Sequence, residues 1–321
     1  MCTHLNGVNG VVGDDSVNIA LSFDSAYAMP AAVTLRSVAE TVQGPVTFYI
    51  LDGGIRPDEK QKIEESLPKR ADMTLHYIDL PPISFALNLG MAWARIDLMK
   101  CLPVDRAIYL DSDLLVRKDL RELWNTDLKG HAIAATLDVW IPMGHSGVGR
   151  GPYFNSGVVL MDLVKVRTTL PKLEALCYEM RDAHYWDQDP LNVHFAGDWE
   201  LFSIAWNGVG IGSITKWPDP DRQKLPLELL DDPAIVHFSG PCHPVMHHML
   251  VPDRQPFHAK PWGYAGAPGN PFAKDWWDML EKTAWKGWRE TKEYREMREQ
   301  TRLKILNAAI EEFDRRIGWK E

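Results

Sequence analysis

Asp111-Ser112-Asp113 places two carboxylates two residues apart, after the apolar run Ala107-Ile108-Tyr109-Leu110 and before Leu114-Leu115-Val116. Carboxylates at i and i+2 can converge on one hard cation when the chain turns after a strand. Oxygen ligands suit Mg²⁺ and Mn²⁺, whose sites keep positions open for substrate phosphates. The motif therefore predicts a metal–diphosphate site. Solvated acidic pairs at strand ends are common, so the tripeptide needs support from the rest of the chain.

That support begins with the elements that must position the pair. Residues 17–23, 46–51, 73–79 and 106–111 read as short apolar strands. Helical patterns alternate with them over 30–42, 57–67 and 91–100, with Pro30 and Pro57 suited to a first turn. Strand–helix alternation with apolar strands predicts an α/β fold with a mainly parallel sheet. Ligands of such sheets bind beyond the carboxyl ends of the strands, so Asp24 and Asp111 are expected in one site. Residues 131–137 and 157–161 read as further strands, separated by a Gly-rich loop at 144–151, taken as a mobile substrate loop. A helix is expected over 171–185, and irregular structure over 215–271. From about Asp275 the chain reads as helical. Leu303, Leu306, Ile310, Phe313 and Ile317 form one stripe at 3, 4, 3, 4 spacing, expected to pack on the body or on a second copy. The expected division is a flexible 1–16, a catalytic domain over 17–272 and a C-terminal helical extension over 273–321.

Composition narrows the class. A net charge of −9 over 321 residues argues against a general nucleic-acid binder. Cys2, Cys101, Cys177 and Cys242 lack metal-clip or redox spacing, which reads as reduced thiols. No apolar stretch approaches the ~20 residues that span a bilayer, and the N-terminus does not read as a signal peptide. A cytoplasmic protein is expected. Five of the thirteen tryptophans (Trp276, Trp277, Trp285, Trp288 and Trp319) fall in the last fifty residues. They read as packing for the extension, or alternatively as a peripheral membrane or partner patch.

Ordered motifs now accumulate. Asp24-Ser25-Ala26-Tyr27 follows the first strand, and Asn155-Ser156-Gly157 opens a later one. Asp187-Gln188-Asp189-Pro190-Leu191-Asn192 opens a helix, and His237-Phe238-Ser239-Gly240-Pro241 comes far downstream. Over about Val17 to Pro244 this set resembles glycosyltransferase family 8, which includes glycogenin and the bacterial lipopolysaccharide galactosyltransferases. The resemblance implies a GT-A fold, a Rossmann-like sheet with a nucleotide-sugar site at its strand ends. It implies Mn²⁺, with Mg²⁺ as the substitute, on Asp111, Asp113 and His237. It places Asp24, Tyr27, Arg95, Ser112 and Gly240 against a UDP-sugar, with Tyr27 on uracil. Asp187 and Gln188 would lie beside the anomeric carbon, and Asn155 and Asp138 on the sugar and acceptor side. Transfer of glucose or galactose to a hydroxyl with retention is implied. The acceptor, whether glycan, glycolipid or small molecule, is not legible.

Two positions depart from the family pattern. A lysine is usual in the Gly-Pro-x-Lys-Pro stretch, where this chain has Gly240-Pro241-Cys242-His243-Pro244. His243 is the expected substitute, and only its protonated form carries equivalent charge. Ala26 replaces a polar uridine contact, which implies weaker selection for uracil. The rival readings are a metal-dependent nucleotidyltransferase and a non-catalytic nucleotide-sugar scaffold, with a homo-oligomer through the C-terminal helix.

Overall fold

The computed structural model describes residues 5–8, 15–211, 219–239, 260, 262 and 270–318. Its strands are β1 (Leu5–Val8), β2 (Val17–Phe23), β3 (Val46–Asp52), β4 (Met73–Asp79), β5 (Arg106–Leu110), β6 (Leu114–Val116), β7 (Ile133–Leu137), β8 (Gly144–His145), β9 (Gly149–Arg150), β10 (Phe154–Asp162), β11 (Glu200–Leu201), β12 (Gly208–Val209) and β13 (Ile235–His237). Eight of them form one sheet in the order β1-β4-β3-β2-β5-β10-β7-β11.

Side chains of a strand alternate between faces, and both faces of this sheet are covered. Ile19, Leu21 and Phe23 of β2 pack with helix Ala28–Thr41 in one apolar cluster, together with Ile63 of helix Pro57–Ser66. Ala20 faces the other way, into a cluster with Tyr49 of β3 and with Ile96, Leu98 and Leu173 from helices Ala94–Cys101 and Leu163–Glu179. This α/β/α layering is the predicted class, and β2 through β5 match the sequence reading within a residue or two.

The run from β4 to β5 is parallel, but β10 is antiparallel to both β5 and β7. The orientation of β10 has a chemical consequence. Asn155-Ser156-Gly157 begins a strand, so only reversal brings it to the end where β2 and β5 stop. The amide of Asp111 donates to the Gly157 carbonyl at 2.8 Å. A second, three-stranded sheet, β12-β13-β6, begins immediately after the acidic pair. In it His237 sits opposite Leu114, and the Phe238 amide donates to the Asp113 carbonyl.

Three expectations need correction. The helix expected over 171–185 is Leu163–Glu179, with Pro171 inside it, so the proline does not mark its start. Residues 144–151 are not an irregular loop; they form the ribbon β8–β9, tied down by His145 Nε2 on Asp189 at 2.8 Å. Cys101 is disulfide-bonded, whereas Cys177 is the expected free thiol and is buried.

Near the C-terminus, helices Ala273–Leu280 and Lys292–Ile317 are joined by a break around Gly287 (φ 73°). Trp276, Trp277 and Trp288 are buried with Met29, Leu115, Val236 and Phe238, the packing role anticipated for them. Burying each such ring contributes roughly 1.5–3 kcal/mol. Trp319 lies outside the described residues. The stripe from Leu303 to Ile317 is not covered by the body; its residues are 48–61% exposed. No described helix is long and apolar enough to cross a membrane.

Candidate functional site

The strand ends open into a cavity of about 440 Å³ whose lining includes Asp24, Tyr27, Asp111, Asp187, His237 and Lys260. That is an ordinary size for a small-molecule site.

Asp111, Asp113 and His237 each turn one ligand atom to a common point, and these atoms lie within 4.8 Å of one another. His237 Nε2 is 3.3 Å from Asp113 and 3.7 Å from Asp111. The opposite ring nitrogen, Nδ1, lies 2.9 Å from Asn207 Oδ1, and Asn207 Nδ2 donates to Asn155 Oδ1 at 2.8 Å. The Asn207 oxygen must therefore accept, which puts the proton of neutral His237 on Nδ1 and leaves the Nε2 lone pair facing the carboxylates. Gly157 makes the arrangement sterically feasible. A Cβ there would meet His237 Cε1 at 2.4 Å and Asp111 Oδ2 at 2.9 Å. Two carboxylates and an oriented imidazole fit a small divalent cation with positions left for oxygen ligands.

Lys260 was not anticipated. Its Nζ is 2.5 Å from Asp113 Oδ2, donates to Tyr27 OH at 2.7 Å, and lies 4.7 Å from the Tyr27 ring centroid. Burial opposes the charge on Asp113, but the Lys260 ammonium and His237 outweigh it and hold that carboxyl far below its usual range. Asp113 in turn raises the Lys260 pKa against its own burial. In sequence Lys260 is followed by Pro261, the Lys-Pro pair looked for beside Gly240. A long intervening segment hid the match. Gly240 and His243 lie outside the described residues.

Arg95 is the hub on the other side. From the buried helix Ala94–Cys101 it reaches Asp111 Oδ1 through Nη2 and Asp187 Oδ2 through Nη1, each at 2.9 Å. Its guanidinium lies 4.2 Å from the Tyr109 ring centroid, and Tyr109 OH donates to Asp111 Oδ1. The Arg95–Asp187 contact is close but out of line for a hydrogen bond. Arg95 Nε, Arg95 Nη1 and Asp187 Oδ2 are thus buried without hydrogen-bond partners, polar groups that a ligand could satisfy. Burial pushes the Asp187 carboxyl up to about 7; Arg95 opposes this and the Asp111 charge reinforces it. Asp187 stands at the N-cap position of helix Gln188–His194 but makes no capping bond.

Gln188, Asp138 and Asn155 are brought together by one hydrogen-bond network. Gln188 Oε1 accepts from the Ser156 amide at 3.0 Å, and Gln188 Nε2 donates to Asp138 Oδ2 at 3.1 Å. Asn155 Nδ2 donates to the same Asp138 oxygen at 2.9 Å. Both ends of the Gln188 amide are engaged, so it is held as a fixed dipole. Asp24 caps the turn Ser25–Tyr27 by accepting from the Ala26 amide, and Ser112 lines the cavity. Every described residue anticipated for the site lines this one cavity. Sequence reading missed Lys260, Asn207 and Tyr109; the last two had no motif to announce them.

Known proteins with similar sequences and folds give this geometry its context. Glycosyltransferase GlyF of Streptococcus pneumoniae is 29% identical over 241 residues, covering 70% of this chain but only 56% of that protein. General stress protein A of Bacillus subtilis is 28% identical and covers 80% of this chain and 98% of its own. The lipopolysaccharide 1,2-glucosyltransferase of Escherichia coli is 26% identical, with coverage of 72% and 73%. Among solved structures, the galactosyltransferase LgtC superposes with a TM-score of 0.66 at 24% identity, covering 84% of this chain and 99% of that one. The fold is therefore that of the GT-A glycosyltransferases. The sequence profile of glycosyl transferase family 8 matches residues 18–244, a span that holds the acidic pair, Asn155, Asp187 and His237, and the chain belongs to that family.

Proposed function

We propose that this chain is a retaining hexosyltransferase that takes glucose or galactose from a UDP-sugar and delivers it to an acceptor hydroxyl. The observation that carries the reading is the convergence of Asp111, Asp113 and His237 on one point, within a cavity that also holds Asp24, Tyr27, Asp187 and Gln188. Mn²⁺, or Mg²⁺ in its place, would be held by those three residues and would supply positive charge to the diphosphate.

The chain's own groups have separable tasks in this reading. Tyr27 stacks on the base, and Asp24 contacts base or ribose. Lys260 offers an ammonium to the diphosphate, the task first assigned to His243. Arg95 contacts the donor sugar and phosphate. In the reaction the bond from C1 to the phosphate oxygen breaks and the bond from the acceptor oxygen to C1 forms. The acceptor proton passes to the departing phosphate oxygen on the same face, which retains configuration. A Gln188 amide committed at both ends is no nucleophile, and Asp187, buried beside Arg95, acts as a charge facing the developing oxocarbenium.

The test is UDP release from a panel of UDP- and GDP-sugars, with Mn²⁺ or with EDTA. Metal-dependent hydrolysis of one UDP-hexose, lost in Asp113→Ala, is expected. Release of labelled nucleotide onto an acceptor, in place of sugar, would instead indicate a nucleotidyltransferase. Binding of UDP without turnover across acceptors would indicate a scaffold.

A further inference from the structure

Trp186 combines a strained backbone with an exposed aromatic side chain. It is one of two non-glycine residues with positive φ among the described residues, at 48°, and its side chain is 61% exposed. A bulky residue adopts that backbone region at a cost, and an exposed indole gains little from burial in return. Strained residues of this kind gather where a ligand uses them.

Its position indicates which ligand. Trp186 lines the cavity and immediately precedes Asp187 and Gln188. A chain of contacts runs from Tyr27 through Lys260, Asp113, His237, Asp111 and Arg95 to Asp187. Trp186 thus adjoins the Asp187 terminus of that chain of contacts, not its Tyr27 terminus. Trp140, whose amide donates to Asp138 Oδ1 at 2.7 Å, lines the same cavity. Its neighbour Asp138 is bonded to Gln188. Two indoles thus accompany the residues proposed to face the reacting carbon.

We propose that Trp186 is a stacking platform for the acceptor, and that the acceptor is a pyranose. This rests on the functional reading above for the direction from which the acceptor comes. The C–H bonds on one face of a pyranose carry slight positive charge and match the negative face of an indole. The hydroxyls at the ring edge remain free for Asp138 and for attack. A lipid chain would need an apolar channel, whereas the lining that Trp186 shares includes Asp138, Asp187 and Gln188.

The test uses methyl β-D-glucopyranoside, methyl β-D-galactopyranoside and lactose as probes, with the whole chain, Mn²⁺ and UDP present. Binding is read by saturation-transfer NMR and by the indole N–H resonance that disappears in Trp186→Phe. At least one saccharide should bind the wild type and shift that resonance. Trp186→Ala should weaken it about threefold to tenfold, and Trp186→Phe should restore most of the loss. UDP affinity should stay within twofold in both. Trp186→Asn, a residue that tolerates positive φ, repeats the measurement should Trp186→Ala fold poorly. Equal saccharide binding by Trp186→Ala or Trp186→Asn, or no saccharide binding by the wild type, overturns the inference. Trp186-dependent saccharide binding by a wild type that binds no UDP would sustain Trp186 as a saccharide platform and defeat the functional reading. Metal-dependent UDP-hexose hydrolysis with no effect of Trp186 on saccharide binding would do the reverse.

Discussion

The Nδ1 of His237 lies 2.9 Å from Oδ1 of Asn207, and that contact fixes which ring nitrogen faces Asp111 and Asp113. Asn207 is fully buried, and its amide group is anchored in turn on Asn155. Asn207→Ala should leave His237 free to present either nitrogen. Mn²⁺ affinity, measured calorimetrically without donor, should fall about 10- to 100-fold while the chain remains folded. An unchanged affinity would show that β13 alone orients the imidazole.

Gly157 should not accept a side chain. In Gly157→Ala the new Cβ would overlap His237 and Asp111, and neither neighbour is the free end of a flexible chain. Metal binding should be lost before the fold is. Mn²⁺ titration together with circular dichroism would separate the two losses.

Lys260 neutralises Asp113 where the cation would sit. Lys260→Met should therefore bind Mn²⁺ more tightly in the absence of donor and UDP more weakly in its presence. Loss of both would contradict this, because it would make the lysine a plain structural prop of the site.

Asp187 gives a pH signature. Its folded pKa, about 7, is above the ~3.9 of an unfolded aspartate. Between those values the folded chain holds a proton that the unfolded chain has lost. The contribution of Asp187 to stability therefore falls as pH rises from about 4 to 7. Asp187→Asn should remove that slope in urea titrations at pH 5 and 7.5. The carboxylate is the working form in the proposed reaction, so turnover of the wild type should rise through pH 7.

Much of this was legible in the chain itself. Strands β2 to β5 announce themselves as apolar runs between turn residues, because a strand buried on both faces has little room for polar side chains. Asp24, Asp111 and Asp113 stand out because each follows an apolar run, where the hydrophobic pattern stops; Asn155, Asp187 and His237 were legible through the ordered motifs that resemble the family. Tertiary structure decided what distance along the chain conceals. The reversal of β10 beside β5 brings Asn155 to the acidic pair, and the pairing of β13 with β6 brings His237 there. Strand direction depends on neighbours, not on the strand's own residues. Lys260 reaches Asp113 across 147 residues, and Asn207 acts only through another side chain. Sequence specifies which residues can carry charge, metal or a sugar ring; packing alone specifies which of them meet.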